Sequence, residues 1–123
     1  MKKILVVEDE MAYAKILHDQ LTAGGYEVID AKDGMEGLKL ALDKKPDLIL
    51  LDLILPRVGG LKMLNILRRF KWGEKVFVFI LTNINESVNE SEAMNNKASK
   101  YMIKSDIKLE NLLENIKIFL QRG

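Results

Sequence analysis

The sequence predicts an α/β fold in which five parallel strands alternate with helices. Five short apolar runs are separated by helix-patterned segments along the 123 residues. Two of the runs, residues 48–53 (LILLDL) and 76–81 (VFVFIL), are almost continuously apolar, which is typical of strands buried on both faces of a parallel sheet. Regular alternation of strand and helix favours a mostly parallel sheet with right-handed crossovers.

The remaining elements follow the same pattern. Three shorter apolar runs predict further strands at residues 4–7, 28–31 and 101–103. Apolar residues at three- and four-residue spacing predict helices at residues 11–23, 34–42 and 60–70 and from Leu109 to Leu120. The polar segment 85–96 (NESVNESEAMNN) predicts a weakly anchored fourth helix. Five such units suit a doubly wound, flavodoxin-like (βα)5 fold with strand order 2-1-3-4-5, whose ligand site lies beyond the carboxyl ends of the strands.

Composition limits the classes of function. The formal net charge is only +1, so we expect no direct nucleic-acid binding and no attraction to an anionic membrane. Cysteine is absent, which excludes disulfides and thiolate metal sites. Without an apolar run near the ~20 residues of a membrane span, we expect a cytoplasmic protein. The length suits one domain, so an output module is expected on another chain or outside these residues.

Polar side chains follow four of the predicted strands. Glu8 and Asp9 come after the first, Asp52 stands at the end of the third, and Thr82 and Lys104 follow the fourth and fifth. Parallel strands end at the same edge of a sheet, so we expect these side chains to converge. Carboxylates from two neighbouring strands suit a hard divalent cation such as Mg²⁺, or alternatively Mn²⁺. Without the cation, at least one carboxyl pKa should rise.

Asp52 has a chemically unusual position because apolar residues flank it on both sides. A buried carboxylate is costly unless its charge is paired or used. Beside a cation it can act as a nucleophile and accept a phosphoryl group as an acyl phosphate. Lys104 and Thr82 would then pair with phosphoryl oxygens. The added charge would draw both groups inward, which makes the site a switch.

The motifs KILVVEDE, LLDLILPRVGG, ILTN and KYMIK together resemble the receiver domain of two-component response regulators, of the chemotaxis-regulator type. The resemblance covers essentially the whole chain and implies a single receiver domain over residues 1–123, with no output domain. It implies a role for each matching residue, as follows: Asp52 as phosphoacceptor; Glu8, Asp9, Asp52 and the backbone carbonyl of Ile54 as Mg²⁺ ligands; Thr82 and Lys104 as phosphate-binding groups; Thr82 and Tyr101 as switch residues.

The resemblance also implies partners. The phosphoryl donor would be a phosphohistidine on a sensor histidine kinase or a phosphotransfer protein. The receiver would catalyse only its own phosphorylation and dephosphorylation, so it is not expected to be an enzyme that acts on other substrates. Phosphorylation would change the face formed by the fourth helix, fifth strand and fifth helix. That face would control an output partner or mediate a phosphorylation-dependent homodimer.

Three positions depart from the family pattern. Ser105 stands where proline usually follows the lysine, Asn83 stands where a very small residue usually follows the threonine, and Lys97 occupies a place that often holds glycine. If that last place needs a positive φ, Lys97 is strained. The departures at Asn83 and Ser105 support an alternative, a pseudo-receiver that binds partners without being phosphorylated, whereas the complete acidic cluster argues against it. A second alternative is a haloacid-dehalogenase-type phosphatase. That class requires a second acid two residues after the nucleophile, where this chain has Ile54.

Overall fold

The structure is a computed structural model that describes residues 1–84 and 87–122. Within these residues, strands and helices alternate along the chain. The strands are β1 (Lys3–Val7), β2 (Glu27–Ala31), β3 (Leu48–Leu51), β4 (Phe77–Thr82) and β5 (Lys100–Ile103). The helices are α1 (Met11–Ala23), α2 (Gly34–Lys44), α3 (Gly60–Leu67), α4 (Ser87–Asn95) and α5 (Leu109–Arg122), with a short 3-10 turn at Trp72–Glu74. The predicted fourth helix began at residue 85, and residues 85 and 86 lie outside the described part.

The strands form one parallel sheet in the order β2-β1-β3-β4-β5. This confirms the predicted flavodoxin-like order. Strand β1 lies between β2 and β3, with Val7 opposite Leu51 in the β1–β3 pair. Strand β4 lies between β3 and β5, with Thr82 opposite Ile103. The carboxyl ends of β1, β3, β4 and β5 therefore lie side by side at one edge.

Two apolar layers cover the two faces of the sheet, because successive strand residues point to opposite sides. One layer packs strand residues against α2, α3 and α4, and its buried members include Leu5, Val7, Ile49, Leu51, Val78, Ile80, Met63, Leu64, Leu67 and Ala93. The other packs strand residues against α1 and α5, and its buried members include Ile4, Val6, Leu48, Leu50, Phe79, Leu81, Leu17, Leu21, Leu112 and Ile116. Burial on both faces explains the continuous apolar runs of β3 and β4.

Several predicted boundaries were wrong by one to three residues. Strand β3 ends at Leu51 rather than 53, because the Leu53 carbonyl accepts a hydrogen bond from the Gly60 amide (3.0 Å) instead of continuing a ladder. Strand β4 begins at Phe77 and ends at Thr82, one residue later than predicted at both ends. Helix α3 ends at Leu67 rather than 70, because the amides of Arg69 and Phe70 bond three residues back, which tightens the last turn.

Lys97 has φ +63°, so the condition under which strain was expected at this position is met. Two further non-glycine residues, Lys45 (φ +49°) and Arg57 (φ +65°), also have left-handed backbones, which the sequence did not indicate. Lys45 closes α2, where its amide bonds to the Ala41 carbonyl. A left-handed residue is a common way to end a helix.

Candidate functional site

Three carboxylates meet at the edge where β1 and β3 end. Glu8 and Asp9 follow β1, and Asp52 follows β3. One carboxylate oxygen from each residue lies within 4.8 Å of the others. Glu8 and Asp52 are buried, with 5% and 7% of their surface exposed, whereas Asp9 is exposed. Three hard oxygen donors at this separation, with one side open to solvent, fit the carboxylate-and-water coordination that Mg²⁺ prefers.

Lys104 supplies a positive charge inside this carboxylate cluster. Its Nζ lies 2.6 Å from Glu8 Oε1 and 2.9 Å from Asp52 Oδ2, and only 9% of its side chain is exposed. The residue follows β5, where its amide bonds to the Thr82 carbonyl (2.9 Å). The lysine reaches both carboxylates although the expected proline is Ser105, and the Lys104–Ser105 peptide bond is trans. The departure at Ser105 therefore leaves the lysine in the site.

Burial and charge pairing act in opposite directions on these groups. Burial raises the pKa of Glu8, and the hydrogen bonds from Lys104 and from the Glu10 backbone amide lower it without cancelling the rise. Burial would lower the pKa of Lys104, but its hydrogen bonds to Glu8 and Asp52 and their negative charges raise that pKa on balance. The pKa of Glu8 is thus raised, as predicted for one carboxyl of the cluster, but burial and not repulsion from Asp52 is the main cause.

Local backbone contacts fix the Asp52 side chain. The Ile54 amide donates to Asp52 Oδ1 at 3.2 Å, while Oδ2 accepts from Lys104. The Ile54 side chain is 60% exposed, and its carbonyl remains a predicted cation ligand. The first residue of α3, Gly60, lies against the Asp52 backbone, because a Cβ built on Gly60 would stand 2.2 Å from the Asp52 carbonyl oxygen. Both oxygens of Asp52 thus have fixed partners at the rim of the sheet.

Thr82 and Tyr101 contact the same residue, Ile84. Thr82 is fully buried, and its Oγ1 accepts a long hydrogen bond (3.4 Å) from the Ile84 amide. The Tyr101 hydroxyl donates to the Ile84 carbonyl at 2.7 Å, and its half-buried ring packs on the α2–α3–α4 layer. Ile84 therefore links the two predicted switch residues. Asn83, between Thr82 and Ile84, is exposed.

Sequence reasoning missed Ile84 and Tyr13. The Lys104 ammonium lies 4.6 Å from the centroid of the Tyr13 ring, which is within the range of a cation–π contact. Burial raises the pKa of the Tyr13 hydroxyl, while the charge of Lys104 lowers it. Tyr13 lies four residues before Leu17 and eight residues before Leu21 on α1. That spacing could have placed Tyr13 on the inner face of α1, but it does not indicate that Lys104 would be there.

Comparison with known proteins decides the family. Residues 4–117 match the family model described as the response regulator receiver domain. The chain belongs to this family. Receivers with the same fold include one from Methanospirillum hungatei (CheY-like; TM-score 0.90, 27% identity, covering 100% of this chain and 99% of that one). Another is the BeF3-activated receiver of Klebsiella pneumoniae RstA (TM-score 0.88, 26% identity, covering 97% of this chain and 98% of that one).

The curated relatives of this receiver are longer proteins. RpaA of Synechocystis, described as a DNA-binding dual master transcriptional regulator, is 32% identical over 99% of this chain and 50% of its own length. PhoP of Bacillus subtilis, an alkaline phosphatase synthesis transcriptional regulatory protein, is 40% identical over 84% of this chain and 42% of its length. The chain therefore spans about half the length of these relatives. Among the described residues, no helix is both long and apolar enough to cross a membrane.

Proposed function

We propose that this receiver is a phosphorylation-dependent signalling switch. Asp52 is the phosphoacceptor, and a phosphohistidine on a sensor histidine kinase or phosphotransfer protein is the donor. The observation that carries the proposal is the arrangement around Asp52: a buried nucleophile with Glu8 and Asp9 within 4.8 Å and the Lys104 ammonium at 2.9 Å. Family membership and the acidic cluster support this chemistry over a purely structural role.

The transfer step needs one bond made and one broken. A carboxylate oxygen of Asp52 attacks phosphorus, and the bond from phosphorus to the imidazole nitrogen breaks, so the electron pair leaves with the imidazole. Mg²⁺ held by Glu8, Asp9, Asp52 and the Ile54 carbonyl, or Mn²⁺ in its place, would neutralise phosphoryl charge. Lys104 would turn from Asp52 to a phosphoryl oxygen, and the buried hydroxyl of Thr82 would donate to another.

The switch would pass through Ile84. If Thr82 moves toward the phosphoryl group, its contact with the Ile84 amide changes, and Tyr101 is bonded to the carbonyl of that same residue. Helix α4 follows directly and is polar in sequence, with Ala93 as its buried apolar anchor. We propose that phosphorylation shifts the α4–β5–α5 face through this link.

The output and partners are part of the same proposal. RpaA is described as DNA-binding, and its sequence extends beyond the half that this chain matches. We propose that residues 1–123 correspond to the receiver half and act as one receiver unit. Its output would lie on a partner or on a further segment, and the receiver would not itself contact nucleic acid. The near-zero net charge supports that division. A cytoplasmic location and a homodimer that forms on phosphorylation belong to this proposal.

A pseudo-receiver is the second candidate, and one observation favours it. Both Glu8 carboxylate oxygens already have partners: Lys104 on Oε1 at 2.6 Å and the Glu10 amide on Oε2 at 3.0 Å. Because both oxygens of Glu8 have partners, a bound cation is less necessary to stabilise its carboxylate. In this candidate the site would be a static ion-pair cluster, and the α4–β5–α5 face would bind its partner without modification.

Small-molecule phosphorylation separates the two candidates. We expect incubation with acetyl phosphate and Mg²⁺ to add the mass of one phosphoryl group to the intact chain. Asp52→Asn should abolish the added mass, because the amide cannot act as the nucleophile. Asp43→Asn, at an exposed aspartate on α2, should retain it. If the wild-type chain, like Asp52→Asn, gains no phosphoryl mass on incubation, the result favours the pseudo-receiver. Turnover of small phosphate esters would instead support the phosphatase.

A further inference from the structure

The Lys104 ammonium has an aromatic neighbour in addition to its two carboxylates. Glu8 and Asp52 lie 2.6 and 2.9 Å from Nζ, and the Tyr13 ring centroid lies 4.6 Å from it. The lysine side chain is only 9% exposed. An ammonium held this far from water interacts more strongly with the negative face of an aromatic ring than an exposed one does.

The fold holds the Tyr13 ring in place. Tyr13 lies in the first turn of α1, one helical repeat before Leu17, which is 1% exposed. Its half-buried ring packs against the apolar layer between the sheet, α1 and α5. The ring is therefore fixed by the core on one side and meets the ammonium on the other.

We propose that Tyr13 is a positioning residue that keeps Lys104 at the phosphoryl site when the carboxylates are occupied. This inference rests on the function proposed above. A bound cation competes with Lys104 for the oxygens of Glu8 and Asp52, and a phosphoryl group attached to Asp52 removes the carboxylate charge of that residue. The Tyr13 ring takes part in neither interaction, so it continues to attract the ammonium while the lysine turns from carboxylate to phosphoryl oxygen. Tyr13 acts through Lys104 and does not itself touch the reacting atoms.

The proposal makes the ring, and not the hydroxyl, the active feature. Tyr13→Phe keeps the aromatic face at the same place and removes only the hydroxyl. Tyr13→Leu keeps an apolar side chain on the inner face of α1 and removes the aromatic face. A residue that served only as core filling would tolerate leucine about as well as phenylalanine. The two variants therefore separate positioning of Lys104 from packing.

The first measurement detects the contact without phosphorylation. In the full chain labelled with ¹³C-lysine, the ε-CH₂ protons of Lys104 are next to the ammonium that lies 4.6 Å from the ring centroid, so we expect them to resonate upfield of those of the other lysines. The Lys104→Met variant assigns that signal by its disappearance. We expect the upfield shift to persist in Tyr13→Phe and to be lost in Tyr13→Leu. A shift that persists in Tyr13→Leu overturns the proposed contact.

The second measurement is the rate of phosphorylation by acetyl phosphate, with the Mg²⁺ dissociation constant measured by calorimetry. We expect Tyr13→Leu to react about tenfold more slowly, a factor typical of a partly desolvated cation–π contact, and Tyr13→Phe to restore the rate. The Mg²⁺ affinity should be the same in both, because the carboxylates are unchanged. A Tyr13→Leu rate equal to wild type overturns the proposal, as does a Tyr13→Phe rate as low as that of Tyr13→Leu or a parallel loss of Mg²⁺ affinity in Tyr13→Leu.

Failure of the proposed function would look different. If the wild-type chain accepts no phosphoryl group, the proposed switch function is refuted, and Tyr13 cannot position Lys104 for phosphoryl transfer. The ring-current measurement then still decides whether Tyr13 holds the lysine in the cluster.

Discussion

Gly60 shows how a single residue controls the position of Asp52, the proposed phosphoacceptor. A Cβ at this position would lie 2.2 Å from the Asp52 carbonyl oxygen and 2.7 Å from Leu53 Cα. Real Cβ atoms do not approach backbone atoms this closely, so any side chain would push α3 away from the segment that follows β3. The adjacent Gly59 is different, because its Cβ would lie 3.6 Å from the Leu53 carbonyl oxygen, an ordinary contact.

We therefore expect Gly60→Ala to lower the free energy of unfolding by about 2 kcal/mol, as overpacking in a tight site does. Gly59→Ala is the matched control, because Gly59 has φ −68°, which alanine adopts without strain. We expect that variant to be unchanged or slightly more stable, since alanine restricts the unfolded chain. Urea denaturation of both variants measures the difference. Equal stability of the two would contradict the argument.

At the scale of single residues, sequence reasoning identified the residues whose chemistry is unusual for their position in the chain. Asp52 is a carboxylate within an apolar run, and Glu8, Asp9 and Lys104 follow strands directly, so the expected topology was enough to bring them together. Tyr13 and Ile84 escaped notice for a physical reason. An aromatic ring on a helix and an apolar loop residue are common in any core. The role of Tyr13 depends on Lys104 and that of Ile84 on Tyr101, and both partners are distant in sequence.

Arg68 joins two connecting segments at the end of the sheet opposite the acidic cluster. Its guanidinium donates to four backbone carbonyls: Gly73 and Val76 before β4, and Asn96 and Lys97 before β5 (2.8 to 3.1 Å). The guanidinium thus binds both segments at once. This bonding ties the C-terminal end of the polar helix α4 to the rest of the fold, and it holds the turn in which Lys97 has a positive φ.

We expect Arg68→Ala to lower the free energy of unfolding by about 2 kcal/mol, because four carbonyls lose a charged donor. Arg69→Ala is the control, since the exposed guanidinium of Arg69 bonds to one side chain, that of Asn65, among the described contacts, and its loss should be nearly neutral. Denaturation curves give the stability. Amide hydrogen exchange should also quicken between Asn95 and Ser99 in Arg68→Ala alone. Unchanged exchange in that segment would show that Arg68 does not hold it.

The type and order of the elements could be predicted from the sequence, but their ends could not be placed closely. Strand β3 and helix α3 both end earlier than their apolar patterns suggest. After α3 the apolar pattern extends to Phe70, which is 44% exposed; after β3 the pattern continues because Leu53 is still packed, while the backbone has already turned to bond elsewhere. Leu53 illustrates this: it is 7% exposed, yet its carbonyl bonds to Gly60 and not to a neighbouring strand.

At the scale of the whole molecule, the sheet order creates the site. Strand β1 carries Glu8 and Asp9, the adjacent β3 carries Asp52, and β5 carries Lys104 at the far end of the sequence. The unfolded chain has no such cluster, since these residues are then far apart. Any cation that the cluster binds therefore binds the folded state alone and stabilises it by mass action.

We expect Mg²⁺ to raise the melting temperature of the wild-type chain. At a free Mg²⁺ concentration about 100 times the dissociation constant, the stabilisation should be about 2.7 kcal/mol. Asp9→Asn should lose most of the shift, because it removes a charge from the group of three carboxylates. Glu10→Gln, an exposed neighbour outside that group, should retain it. Scanning calorimetry with and without Mg²⁺ makes the comparison, and an equal shift in Asp9→Asn and wild type would refute a site built on Asp9.

The contact between Lys104 and Glu8 has a consequence for when the receiver first becomes competent. It joins the residue after β1 to the residue after β5, so all five strands must leave the ribosome before the ammonium can meet the carboxylates. A growing chain that stops after β4 presents Asp52 without its lysine. Under the proposed function, we therefore expect a translation product truncated after β4 not to draw phosphoryl groups from the donor.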